Sequence, residues 1–271
     1  MTDATNACDY LDAVRDIAKA AGRCILDIYE REFKVEQKSD ASPLTEADRA
    51  AHVLIVEQLL QLTPELPVLS EEFATVAYEK RAAWQRFWLV DPLDGTKEFI
   101  NRNGEFTVNL ALIEGSQPVL GVVYVPVTGV SYFACRGRGA FKQKGECDLQ
   151  SIRARHYHGG HAIVAASRSH AGDTLGVFLK NLGDHDIVSI GSALKFGLVA
   201  EGTADVYPRL GPTMEWDTAA AQCVVEAAGG RVLGIQHQAL TYNKRSLRNP
   251  WFVATGTGEY DWLRHLPASD K

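Results

Sequence analysis

The chain is poor in features that would place it outside the ordinary globular class. Its 271 residues include five cysteines: Cys8, Cys24, Cys135, Cys147 and Cys223. No two of them form a C-x-x-C pair and the count is odd, so a disulfide framework is disfavoured and reduced thiols are expected. Positive charge is not in excess. Lys and Arg number 28 against 34 Asp and Glu, a formal net charge of -6, which argues against general nucleic-acid binding. A small anionic substrate stays open, because local cations or metal ions reverse the field inside a cleft. No leader is visible: the start, MTDATNACDYLD, has neither a basic n-region nor an apolar h-region. The apolar run from Pro118 to Val127 falls far short of the ~20 residues needed to cross a bilayer. No repeat, low-complexity tract or flexible linker stands out. A cytoplasmic location is expected from the reduced thiols, with peripheral contact at the cytoplasmic face of an inner membrane left open. The oligomeric state is not legible.

What is present is a chain able to build a large core. Hydrophobic residues make up 46% and charged residues 23%, as in folded rather than disordered proteins. The length fits one large domain or two closely packed halves, 1–150 and 151–271, since the texture changes near residue 150. Leu11, Val14, Ile17, Ala18, Ala21, Ile25 and Ile28 recur at helical spacing, and a second helix is expected from about Thr45 to Leu62. The polar segment between them, residues 38–43, reads as a turn. Phe87–Val90 reads as a strand ending at Asp91, with Pro92 blocking its ladder. Phe106–Ile113, Val119–Val125 and Gly129–Ala134 read as an antiparallel meander. Beyond 150, strands alternate with helices. Strands are expected at His161–Ala166, Ile187–Ser189 and Ala204–Tyr207, and helices at Asp173–Leu182, Ser192–Glu201 and Asp217–Ala228.

Asp91-Pro92-Leu93-Asp94-Gly95-Thr96 is the strongest local signal. Two carboxylates converge at a strand end, Gly95 permits a tight turn, and Thr96 opens a short helix whose free amides suit a phosphate. Carboxylates beside a phosphate repel it unless divalent cations lie between, so the motif implies metal as well as anion. Glu71 offers a further hard oxygen after Val68-Leu69-Ser70. Asp217, ahead of an alanine-rich helix, serves equally as a cap or a ligand. Thr45-Glu46-Ala47-Asp48 has capping-box spacing with Asp in place of Glu, and Asp48 also suits a place near the attacking water.

Taken in order, LSEE, WLVDPLDGTKEF and EWDTAAA resemble the metal-dependent, lithium-sensitive phosphatase superfamily that includes inositol monophosphatase. SPLTEAD, NGEFTVNLALIEG, LGVVYVPV, SRSHA, GSALKFGLVAEG and YPRLGPTMEWDTAA are similar to its 3'(2'),5'-bisphosphate nucleotidase branch, over roughly residues 10–250. Lys97-Glu98-Phe99 points away from the inositol branch, which usually has Thr-Asn-Phe there. The resemblance implies an α+β fold, a layered α/β/α/β/α sandwich. It implies two or three magnesium ions. Glu71, Asp91 and the Leu93 carbonyl would hold the first, Asp91, Asp94 and Asp217 the second, and Glu71 with water a weaker third. Gly95 and Thr96 amides would meet the scissile phosphate. Thr96 with Glu71 and Asp48 would orient and deprotonate the attacking water.

The second half would read the rest of the substrate. Ser192 and Lys195, three apart at a helix start, share a face. Arg209 follows a strand and suits a bidentate phosphate contact. By resemblance, His170, Ser192, Lys195 and Arg209 hold the non-scissile phosphate and nucleoside; solvated surface charge is the plainer reading of Lys195 and Arg209. The implied reaction is removal of the 3'-phosphate from adenosine 3',5'-bisphosphate, with 3'-phosphoadenylyl sulfate as a related substrate in sulfur metabolism. An inositol or sugar monophosphatase using the same chemistry, and a non-catalytic nucleotide sensor, are the alternatives.

Overall fold

Apolar runs that are continuous rather than alternating belong to strands covered on both faces, and three of them, FWLV, VNLALI and PVLGVVYV, line up at the centre of this molecule. A computed structural model describes residues 6–37, 43–73, 76–167 and 173–267. The turn expected at 38–43 lies almost wholly outside them, as does His170.

The chain opens with α1 (Leu11–Tyr29), the strands β1 (Val35–Gln37) and β2 (Pro43–Thr45), and α2 (Glu46–Leu62). Then come β3 (Val68–Ser70), the short α3 (Tyr78–Arg81), β4 (Arg86–Asp94) and the short α4 (Thr96–Ile100). A meander follows as β5 (Thr107–Glu114), β6 (Gln117–Val125), β7 (Val130–Cys135), β8 (Gly139–Lys144) and β9 (Cys147–Ile152). The remainder is β10 (Ala162–Ala166), α5 (Asp173–Leu182), β11 (His185–Ser189), α6 (Leu194–Ala200), β12 (Val206–Arg209), α7 (Ala219–Ala227), β13 (Arg231–Gly234) and β14 (Phe252–Thr255).

Among the described residues, β3 to β9 form a seven-stranded sheet in sequence order. Its β3–β4 pair is parallel and the rest are antiparallel. A five-stranded sheet has the order β11-β10-β12-β14-β13. Three apolar clusters mark the layers. In the first, α1 and α2 cover one face of the large sheet through Ile17, Ile25, Ile55 and Leu59 against Trp88, Leu110 and Val122. In the second, α6 and α7 lie between the two sheets, joining Leu89, Ala111 and Val123 to Tyr207 and Phe252. In the third, α5 covers the outer face of the small sheet through Leu175 and Phe178. The result is the α/β/α/β/α sandwich implied by the sequence.

Small residues let the middle layer close. A Cβ at Gly121 on β6 would overlap the backbone oxygen of Ala220 on α7, so only glycine allows that approach. The outer layer is pinned by polar contacts: Trp88 Nε1 donates to Thr63 Oγ1 at 2.8 Å, tying the end of α2 to β4.

Several expectations are corrected. The strand at Asp91 does not stop there: β4 runs to Asp94, with a register shift between Asp91 and Asp94 that accommodates Pro92 without a ladder bond. The last long helix starts at Ala219, not Asp217. Ser192 and Lys195 do not share a helical face, because Ser192 sits at φ 52, ahead of the first turn of α6. Arg209 is the last residue of its strand rather than a residue beyond it. Cysteine pairing also differs: Cys8 and Cys135, 127 residues apart, form a disulfide, while Cys24, Cys147 and Cys223 are free. Sequence spacing gave no hint of that pair, because only packing of the N-terminal segment against the end of β7 brings it together.

Candidate active site

Three elements end at one corner. β3 delivers Glu71 just past its last residue, β4 delivers Asp91 before its bulge, and the turn ahead of α7 delivers Asp217. Carboxylate oxygens of these three residues all lie within 4.8 Å of one another. The strand pairing explains the first two: β3 and β4 run parallel, with Ser70 opposite Val90, so the residues that follow emerge side by side. Asp217 is held in place when one of its oxygens accepts a hydrogen bond from the Met214 amide at 2.8 Å.

Burial makes this corner costly without a cation. Asp91 is 1% exposed. Burial, then the charges of Glu71, Asp94 and Asp217, push its carboxyl well above the usual range. Asp217 is raised in the same way by burial, then by Asp94 and Glu71, with the Met214 amide and Arg209 opposing. An all-oxygen donor set under mutual repulsion fits a hard divalent cation.

Asp94 stands apart from the trio. Its Oδ2 accepts a 2.6 Å hydrogen bond from Ser192 Oγ, with Thr107 Oγ1 and the Asn109 amide at 3.4 Å. The bulge turns Asp94 toward the second half of the chain while it still acts electrostatically on Asp91 and Asp217. Leu93 is buried, and its amide donates to Asp91 Oδ1 at 3.1 Å. Gly95 sits at φ 100, where a side chain would be strained, and it turns the chain into α4.

Asp48 uses its two carboxylate oxygens in different directions. Its Oδ2 closes the capping box, accepting from the Thr45 amide at 2.7 Å and Thr45 Oγ1 at 2.6 Å. Its Oδ1 accepts from Thr96 Oγ1 at 3.1 Å. The helix cap therefore also orients the hydroxyl that opens α4.

Across the cleft stand Lys195 and Arg209. Lys195 is 3% exposed, so the surface-charge reading fails for it. Its ammonium donates to the carbonyls of Ser192 at 2.6 Å and Ile190 at 3.2 Å. Burial pulls its pKa down to about 8, against the favourable charge of Asp94. Arg209 donates to the Pro212 carbonyl at 2.9 Å. Between the two walls is a cavity of about 230 Å³, lined by Glu71, Asp94, Thr96, Ser192, Lys195, Arg209 and Asp217.

Supporting residues escaped the sequence reading. Glu215, fully buried, accepts from the amides of Asn243 (2.6 Å) and Lys244 (3.0 Å) and from the Lys244 ammonium (2.6 Å). Asn249 donates to the Met214 carbonyl at 2.7 Å. Together they brace the turn that carries Asp217. Thr107 and Asn109 were legible in principle: two polar residues at period two interrupt one face of an otherwise apolar strand.

Two sheets around a helical layer, with an acidic corner facing a buried cation, define a class: a layered α+β protein shaped to hold a divalent metal beside an anion. The chain belongs to the inositol monophosphatase family, whose model matches residues 8–257. It is 51% identical over 249 residues to the 3'(2'),5'-bisphosphate nucleotidase CysQ of Salmonella typhimurium, covering 90% of this chain and 99% of that one. The CysQ of Escherichia coli K12 is also 51% identical, over 89% of this chain and 98% of its own. The crystal structure of CysQ from Bacteroides thetaiotaomicron, 44% identical, superposes with a TM-score of 0.82 over 93% of this chain and 98% of that one. Among the described residues, no helix is long and apolar enough to cross a membrane.

Proposed function

We propose that this chain is a 3'(2'),5'-bisphosphate nucleotidase that hydrolyses the 3'-phosphate of adenosine 3',5'-bisphosphate to AMP and inorganic phosphate, with magnesium as its metal. The observation that carries the reading is the meeting of Glu71, Asp91 and Asp217 beside a cavity whose far wall is cationic. The substrate class comes from the nucleotidases to which the chain is half identical. Acceptance of 3'-phosphoadenylyl sulfate, inhibition by lithium and a place in sulfur metabolism belong to the same reading.

Glu71, Asp91 and the Leu93 carbonyl would hold one ion, Asp91, Asp94 and Asp217 a second, and Glu71 with water a weaker third. Bound divalent ions supply Lewis-acid charge to the phosphoryl oxygens and lower the pKa of the attacking water. Thr96 and Asp48 orient that water, and Asp48 or Glu71 takes its proton. The water oxygen attacks phosphorus in line while the bond to the 3'-oxygen breaks, and that oxygen takes up a proton from solvent to give AMP and inorganic phosphate. Gly95 and Thr96 amides meet the scissile group. Ser192, Lys195, Arg209 and His170 hold the remaining phosphate and nucleoside. The half 1–150 thus carries most of the metal ligands and the contacts to the scissile group, while 151–271 adds Asp217 and the contacts to the rest of the substrate.

The test is phosphate release from adenosine 3',5'-bisphosphate and from inositol 1-phosphate, each with magnesium, with chelator, and with magnesium plus lithium. Release from the nucleotide, abolished by chelator and reduced by lithium, is expected. A clear preference for the inositol ester refutes the substrate assignment.

A further inference from the structure

Helix α2 carries Asp48 and His52 four residues apart, one turn from each other on the same face. Both point inward, Asp48 at 2% exposure and His52 at 9%. Asp48 meets Thr96 on one side of the acidic corner. His52 reaches the other side. Its Nδ1 lies 2.8 Å from Ser70 Oγ, and Ser70 is the buried last residue of β3, directly before Glu71. The same ring stacks on Phe73, with centroids 5.0 Å apart and planes at 14°.

One imidazole therefore engages the residue before Glu71 and the residue two after it. The segment between is a single 3-10 turn with no buried side chain of its own. Pairing of β3 with β4 ends at Ser70 and Val90, so past that point no ladder bond directs the backbone. Phe73 is 66% exposed, so the hydrophobic core does not hold it. A turn beyond the end of the ladder takes its aim from side-chain contacts, and outer contacts orient the groups that touch a metal.

We propose that His52 is a positioning residue for Glu71. It clamps the turn from both sides, holding the Glu71 carboxylate against Asp91 and Asp217. Through one turn of α2 it also keeps that carboxylate in register with the Asp48–Thr96 pair. The inference rests on the reading of Glu71 as a metal ligand.

The test uses the full chain, stripped with chelator and titrated with Mn2+, which paramagnetic resonance detects directly. The magnesium dependence of phosphate release is measured alongside. His52→Leu keeps bulk but loses the polar atom; it should weaken Mn2+ binding ~10–100-fold and raise the magnesium half-saturation by a similar factor. The KM for nucleotide at saturating magnesium should not move. His52→Asn places an amide where Nδ1 lies and should recover most of the loss. Ser70→Ala should reproduce it, and the double variant H52L/S70A should lose no more than either single one. Unchanged Mn2+ affinity in His52→Leu, an Asn variant no better than the Leu variant, or losses that simply add would each overturn the proposal. If His52→Leu does not fold, the Asn and Ser70→Ala variants decide. Asp217→Asn tests the underlying reading separately: Mn2+ binding that survives it removes the metal cluster itself, whatever His52 does.

Discussion

The two walls of the cleft are opposites in charge and alike in predicament. On one wall, Asp91 and Asp217 are carboxyls pushed toward the neutral form by burial and by each other. On the other, Lys195 is an ammonium pushed toward neutrality by burial. Each wall holds charges it does not fully compensate, and each would be relieved by a ligand of opposite sign. The difference lies in what holds them. The acidic wall depends on long-range convergence of three elements. On the basic wall, the local turn Ile190–Ser192 supplies the carbonyls that grip Lys195. Ser192 joins the two: its hydroxyl donates to Asp94 and its carbonyl accepts from Lys195.

The comparison breaks most visibly at Asp217. Asp217→Asn should lower turnover on the order of 10³-fold, because it removes a carboxylate that would hold the cation facing the reacting phosphate. The same change should make the metal-free protein more stable near neutral pH. The sign follows from linkage. Asp91 and Asp217 have folded pKa values above their unfolded ones, so the stability they contribute is full at low pH and is lost as pH climbs through the raised values. Stabilisation of the parent by magnesium should accordingly grow from mildly acid to neutral pH. Thermal melts with and without magnesium check both statements; an equal magnesium shift at every pH contradicts them.

The basic wall should respond at the level of binding. Lys195→Gln removes a charge-assisted contact worth ~1.5–3 kcal/mol, raising KM for the nucleotide about 10–100-fold with a smaller effect on kcat. For a depressed lysine the stability contribution is present at high pH and is lost as pH falls through about 8. The ligand-free variant should therefore melt higher than the parent below that pH. A lower melting point there, or an unchanged KM, removes Lys195 from the anion site.

Ser192→Ala sharpens the link between the walls. Loss of the hydrogen bond to Asp94 should raise the magnesium half-saturation about tenfold, as for other outer partners of metal ligands. Titration of activity with magnesium reads this out. Ser192 drops out of the metal side if half-saturation stays put.

The smallest effect on activity is expected from the disulfide, whose cysteines line neither wall. Cys8→Ser should leave turnover intact and lower stability by about 2–4 kcal/mol, since the bond closes a very long loop. Denaturant titration of the parent with and without reductant measures it, and coincident curves would exclude a contribution.

How much of this was legible differs by residue. The helices α1 and α2 follow from periodic apolar positions, and the meander from apolar runs between turn signals, because both are local patterns. Strand β4 was cut short at Asp91, since proline argues against a ladder and a bulge is a property of the pair rather than of one strand. Lys195 read equally well as surface charge, because burial depends on what packs above it. His52 and Asn249 carried no motif, and Glu215 stood inside EWDTAAA with no role of its own to read; they meet partners 18, 35 and 28 positions away along the chain.

The residue order by itself determined the chemical inventory: oxygen ligands at strand and helix ends, a glycine turn beside them, and the apolar periodicities that build each layer. Only the tertiary structure decided that Glu71, Asp91 and Asp217 share one corner while Asp94 turns to Ser192, and that Cys8 meets Cys135. Local preference acts over a few residues, whereas the direction of a side chain at a strand end is set by sheet pairing and by helices packed across it.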